Sequence, residues 1–260
     1  MTEPSEPLRT SKEFHPNGGG VAEGGGSRLG VFARHWTPGE TKTRLAASVG
    51  DGPAAAVARD MLMATLHRCS TIGAERFVAF TPPQAQPAFL EIAQEISGQW
   101  RCVAQPGGPL GDRMRRYLSG ADAAEPGATI LIGSDSPDLP LEALREALSW
   151  LACAGRRFVL GPASDGGYWL IGAKGELPPV FDDMPWGSAR VYSLTVSRLI
   201  AAGWREGVDF RTVTPWYDID RLDALNELRV RLCRSTGDGA LSTLQEQLTA
   251  ILGPPSASTI

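Results

Sequence analysis

The residues able to do chemistry fall in five short segments. The first, Ala33–Leu45, carries Gly39 and the cations Arg34, Lys42 and Arg44. Backbone N–H groups and guanidinium forks match phosphate oxygens, so such a loop suits a phosphate cradle; a solvated basic loop explains it equally well. Neither the GxxxxGK[ST] nor the GxGxxG spacing is present. The second, Ile132–Pro140, places Asp135 directly after an apolar run. A carboxylate there suits Mg²⁺ or Mn²⁺, which take oxygen ligands and bridge to substrate phosphates. Asp138 reads instead as the N-cap of a helix starting near Leu141.

The third segment is Leu160–Gly172, with Asp165-Gly166-Gly167 at its centre. By turn chemistry the default is a hairpin. The functional alternative is that Gly166 and Gly167 let backbone approach a ligand that Asp165 contacts. The fourth, Pro215–Asp223, has Asp218 and Asp220 on either side of one apolar residue. In an extended segment both point the same way, as a metal pair would, although helix capping by Asp220 accounts for it as well. The fifth, Gln105–Arg116, runs a glycine-rich turn into a short helix bearing Gly111, Asp112 and Arg113. Helix N-termini attract anions, while a plain basic surface helix is the simpler alternative. No Gly-x-Ser-x-Gly elbow or Cys–His arrangement occurs, which disfavours acyl-transfer hydrolysis.

The elements that must position these segments alternate. Short apolar runs at Leu29–Ala33, Arg76–Phe80, Ala128–Ile132 and Arg157–Leu160 predict strands. Helical spacing marks Pro53–Cys69, Pro87–Ile96, Leu141–Ala154, Ser188–Ala202 and Leu241–Leu252. This alternation predicts a single-domain α/β fold with a mostly parallel central sheet flanked by helices. Open sheets of this kind bind ligands beyond the carboxyl ends of their strands, where the five segments fall. The chain of 260 residues divides into a Gly-rich tail (1–27), the folded domain (28–235) and a C-terminal helix and tail (236–260).

Composition removes several function classes. A net charge of −4 lacks the basic footprint of a nucleic-acid binder. No stretch reaches the ~18–20 uninterrupted apolar residues of a membrane span, and no apolar leader is visible. The four cysteines, Cys69, Cys102, Cys153 and Cys233, are too scattered for a disulfide framework or a zinc knuckle. A cytoplasmic protein with reduced thiols is expected.

Taken in order, Thr37-Pro38-Gly39…Lys42-Thr43-Arg44-Leu45, Gly108–Met114, Gly133–Leu139, Gly161–Gly172, Trp186-Gly187-Ser188 and Tyr217–Asp220 resemble the DUF2064 family. This bacterial group is also named the arsenosugar-biosynthesis-associated or radical-SAM/selenodomain-associated glycosyltransferases. The resemblance runs from about Leu29 to Leu232. It departs at His35-Trp36, Pro109, Ser136 and Arg221-Leu222. The family is similar to nucleotide-diphospho-sugar transferases of GT-A fold. The resemblance implies a nucleotide whose phosphates meet Arg34, Gly39, Lys42, Arg44, Gly111, Asp112 and Arg113. It implies Mg²⁺ or Mn²⁺ held by Asp135 with Asp218 or Asp220. It implies an acceptor or sugar near Asp165, Gly166, Gly167 and Trp186. Asp135, Asp165 and Asp218 are the expected catalytic residues. The expected function is metal-dependent glycosyl transfer from a nucleotide sugar to a small-molecule acceptor. The alternatives are nucleotidyl transfer from an NTP with release of pyrophosphate, and a non-catalytic nucleotide-binding module.

Overall fold

The structure, a computed structural model, describes residues 26–73, 75–120 and 127–254. The expected tail therefore lies outside the described residues up to residue 25, as does the C-terminal end from residue 255.

The chain begins with β1 (Arg28–Arg34), followed by α1 (Thr43–Val49) and α2 (Asp51–Arg68). Next come β2 (Glu75–Thr81), α3 (Gln86–Glu95), β3 (Trp100–Ala104), α4 (Leu110–Leu118), β4 (Thr129–Gly133) and α5 (Leu141–Ala152). A hairpin of β5 (Arg157–Pro162) and β6 (Tyr168–Lys174) leads to α6 (Val191–Ala201), β7 (Phe210–Thr212), α7 (Leu222–Arg234) and α8 (Gly239–Leu252). The seven strands form one sheet in the order β3-β2-β1-β4-β6-β5-β7. Within it β6 runs antiparallel to both neighbours, and the other pairs are parallel.

Strand residues alternate between two cores. Leu29, Val31, Val78, Phe80 and Ile130 pack under α2, α3 and α5. Leu131, Phe158, Leu160 and Ile171 pack on the other face, with Met114 of α4 and Leu199 of α6. A third cluster joins Leu45 of α1 and Val57 and Met61 of α2 to Leu225 and Leu228 of α7 and Leu241 and Leu244 of α8. The helix α2 is thus covered on two sides, which explains its nearly continuous Ala/Leu/Met composition. The helix α8, assigned by the sequence to a segment beyond residue 235, packs with α2 and α7.

Three elements escape the apolar-run pattern. In the edge strand β3 only Trp100 is buried, so no apolar run announces it. The strand β7 has three residues. The helix α1 starts within the Ala33–Leu45 segment, which reads equally as a phosphate cradle or a solvated basic loop, and it buries Leu45 alone. Among the described residues no helix is long and apolar enough to cross a membrane.

Candidate active site

A cleft of about 430 Å³ opens at the carboxyl ends of β1 to β4. Its walls include Ala33 and Arg34 from β1, Thr81 from β2, Gln105 after β3, and Ser134 and Asp135 after β4. The loop after β1 and the start of α1 add Thr41, Lys42, Thr43 and Arg44, while α4 adds Leu110 and Arg113. Of the predicted phosphate ligands, Arg34, Lys42, Arg44 and Arg113 therefore meet in one place.

Lys42 is the centre of the site. Its Nζ donates to Asp135 Oδ1 at 2.8 Å, to Asp220 Oδ1 at 2.9 Å and to the Ile219 carbonyl at 2.6 Å. An ammonium has three N–H donors, and all three are used here. The side chain is 4% exposed, whereas the two carboxylates are 46% and 40% exposed. Burial lowers the Lys42 pKa, but the two carboxylates outweigh it and leave the group above the ordinary lysine value. Burial also opposes ionisation of Asp220; Lys42 and Arg44 more than offset it and hold Asp220 below the usual carboxylate range. Lys42 begins α1 with φ 48° and ψ 41°, a left-handed conformation that costs an L-residue about 1–2 kcal/mol.

The Asp218–Asp220 segment reaches the site because backbone bonds stitch it across two strand ends. Trp216 N–H donates to the Pro162 carbonyl, and Ser164 N–H to the Trp216 carbonyl, both at 2.9 Å. Ser136 Oγ donates to the Tyr217 carbonyl at 2.6 Å, and Ile219 N–H to the Asp135 carbonyl at 2.9 Å. Ile219 is fully buried in the helical layer, so its two acidic neighbours face the opposite way. Asp218 is raised to about 6, first by burial and then by the nearby charges of Asp165 and Asp220. A half-buried carboxylate poised in that range is suited to proton transfer.

Two capping readings are corrected. Asp138 is not a helix cap: α5 has Pro140 at that position, without a side-chain cap. Its carboxylate, 8% exposed, instead accepts from Arg231 Nε at 2.9 Å and from the Tyr217 hydroxyl. The Arg231 guanidinium also lies 3.6 Å from the centroid of the Tyr217 ring, so the pair clamps Trp216–Asp220 from behind. Asp220 does not cap α7, whose N-cap is Arg221. Asp165 sits in the β5–β6 turn and accepts from Gly167 N–H at 2.8 Å, as the hairpin reading requires.

Gly166 serves packing. A Cβ built there lies 2.2 Å from the Ala189 carbonyl oxygen, at a backbone φ of +90°. A Cβ built on Gly111 would likewise lie 2.8 Å from Trp186 Nε1. Together with Asp112, Gly111 and Trp186 line a separate depression on the other side of the first turn of α4. Gly39 turns the loop with φ +81° and is not a wall of the cleft. Asp165, Gly167 and Asp218 also lie outside the cleft walls.

Gln105, the first residue of the fifth segment, also lines the cleft. Buried at the end of β3, it donates to the Ala79 carbonyl at 2.7 Å and accepts from Arg113 at 2.7 Å, which aims the guanidinium. Its place directly after a strand was the available signal, but the strand itself lacked an apolar run. Thr41, Thr43 and Ser134 are further walls hidden by their ordinary composition.

The expected metal set does not close into a protein cage. Among the described residues no group of three or more His, Cys, Asp or Glu side chains could hold an ion. Asp135 and Asp220, each partly open to solvent and joined through Lys42, fit the other mode, in which one or two carboxylates and substrate phosphates share the ion.

Residues 65–188 match the model of DUF2064, described as uncharacterized proteins conserved in bacteria. A Desulfovibrio desulfuricans G20 protein, provisionally named a nucleotide-diphospho-sugar transferase, is 31% identical, with 86% of this chain and 96% of that one covered and a TM-score of 0.72. A Methanothermobacter nucleotidyl transferase (Mth528) shares the fold at 18% identity, with 81% and 99% covered and a TM-score of 0.50. No curated protein matches the chain. The chain belongs to the DUF2064 family, and its fold is that of the nucleotide-diphospho-sugar transferases.

Proposed function

We propose that this DUF2064 member is a transferase that takes a glycosyl group from a nucleotide sugar to a hydroxyl of a small-molecule acceptor. The observation that carries this reading is the Asp135–Lys42–Asp220 arrangement on the wall of a cleft bordered by Arg34, Arg44 and Arg113. Such a cleft matches a diphosphate: guanidinium groups pair with its oxygens, and two half-open carboxylates can share a divalent ion with it. Asp135 and Asp220 would hold Mg²⁺ or Mn²⁺, which supplies charge neutralisation for the departing diphosphate. Arg34, Arg44 and Arg113 orient the phosphates, with Arg113 held in line by Gln105. Asp218 removes the acceptor proton as the new C–O bond forms and the bond from sugar carbon to phosphate oxygen breaks. Its elevated pKa near 6 keeps it a usable base at neutral pH.

One observation favours nucleotidyl transfer as the second reading. Three guanidinium groups, Arg34, Arg44 and Arg113, border the cleft, one for each phosphate of a triphosphate.

A melting-temperature panel of nucleoside triphosphates and nucleotide sugars, each with and without Mn²⁺, separates the two. A ligand at ~100 times its Kd adds ~2.7 kcal/mol of stability. A shift with nucleotide sugar and metal, with nucleoside diphosphate as product, is expected. A shift with triphosphate alone, with pyrophosphate released, moves the assignment to nucleotidyl transfer, and a flat panel refutes both. Asp135→Ala should lose turnover while remaining folded, because the buried Lys42 keeps Asp220 and the Ile219 carbonyl as partners and the lost contact costs about 1–3 kcal/mol. Retained turnover removes Asp135 from the mechanism.

A further inference from the structure

A lysine meant only to grip phosphate would keep its donors open to solvent, as Arg44, a cleft wall 62% exposed, can. Lys42 does the opposite. Its side chain is buried, and its three donors are consumed by Asp135, Asp220 and the Ile219 carbonyl. The chain accepts a left-handed backbone at this residue, φ 48° and ψ 41°, with the ammonium seated there. The ammonium thus stands between the two carboxylates best suited to share a divalent ion.

Resting on the transferase reading above, we propose that Lys42 is an internal counter-cation that guards the metal seat. The ammonium and a divalent ion exclude each other between Asp135 and Asp220. Both are cations, and together they would set a charge of +3 against two carboxylates at contact distance. An ammonium displaced without a partner stays desolvated, so the exchange is unfavourable in the free protein. Nucleotide phosphates supply the missing acceptors: they receive Lys42 and complete the coordination of the ion. Metal therefore enters with the nucleotide and not before it.

The test uses the full chain and Mn²⁺ alone, with free Mn²⁺ read by electron paramagnetic resonance. Wild type should bind weakly, and Lys42→Met should bind about ten-fold tighter or more, since an opposing charge has been removed at contact distance. Adding Asp220→Asn to Lys42→Met should abolish the gain. Equal affinity in wild type and Lys42→Met overturns the proposal, as does a gain that survives Asp220→Asn. Should Lys42→Met fail to fold with its carboxylates uncompensated, it is refolded with Mn²⁺ or with NaCl of equal ionic strength. Recovery of the far-ultraviolet spectrum with Mn²⁺ only is expected, and no recovery overturns the proposal. None of these measurements contains nucleotide, so a failed nucleotide panel and a failed Lys42 exchange are told apart.

Discussion

Replacing Asp218 with asparagine should make the protein more stable at neutral pH while removing its proposed base. The carboxyl is raised from 3.8 to about 6, first by burial and then by Asp165 and Asp220, with Lys42 opposing. Each pKa unit corresponds to ~1.4 kcal/mol, so the upper limit is ~3 kcal/mol. Asp218 keeps some contact with solvent, which screens its neighbours and reduces the expected gain to about 1–2 kcal/mol. The sign follows from proton linkage. The folded state binds the Asp218 proton more tightly than the unfolded state does. The stability this confers is present in full below pH 3.8 and is lost as pH rises through about 6. Asparagine mimics the protonated acid and carries no charge at any pH. Urea unfolding at pH 7.5 should therefore show Asp218→Asn more stable by about 1–2 kcal/mol, and at pH 4 the difference should shrink towards zero. In parallel, wild-type kcat/KM should fall below about pH 6, where the base is protonated. A variant no more stable than wild type at pH 7.5, or equally stabilised at both pH values, refutes the assignment of a strained carboxylate at this position.

Three further outcomes follow from the geometry. Gly166→Ala should lose about 2 kcal/mol or more in chemical denaturation, because the added Cβ meets the Ala189 backbone and the left-handed φ disfavours it. Asp138→Ala should cost roughly 2–3 kcal/mol and lower kcat, since the Tyr217 hydroxyl and Arg231 lose their common acceptor behind Trp216–Asp220; unchanged stability would mean that the clamp contributes nothing. With iodoacetamide at pH 8, the exposed Cys153 and Cys233 should label in the native protein. Cys69, buried and pushed up to about 12, should label only after denaturation, as mass spectrometry of the peptides would show.

The sequence by itself determined the elements whose residues repeat with a clear period. The apolar runs at β1, β2, β4 and β5 announce buried parallel strands, because both of their faces are covered and little alternation is needed. It also placed Arg34, Lys42, Arg44, Asp135 and Asp220 in segments at or after strand ends, and these five residues line one cleft. The edge strand β3 has no apolar run to announce it, because an exposed strand needs none, and Gln105, at the head of the fifth segment, carries no role in the sequence pattern.

Only the tertiary structure decided what each polar residue does. Asp138, Asp220 and Asp165 sit in similar contexts of proline, glycine and apolar residues. Yet one is buried under Arg231, one grips Lys42 and one closes a hairpin turn. Gly166 and Gly111 carry the same local signal as a ligand-facing glycine, and their partners, Ala189 and Trp186, are distant in sequence. Lys42 and Asp220 are 178 residues apart. A carboxylate or an ammonium reports its charge in the sequence, but its partner, burial and proton affinity are set by long-range contacts, and those exist only once the sheet has brought the loops together.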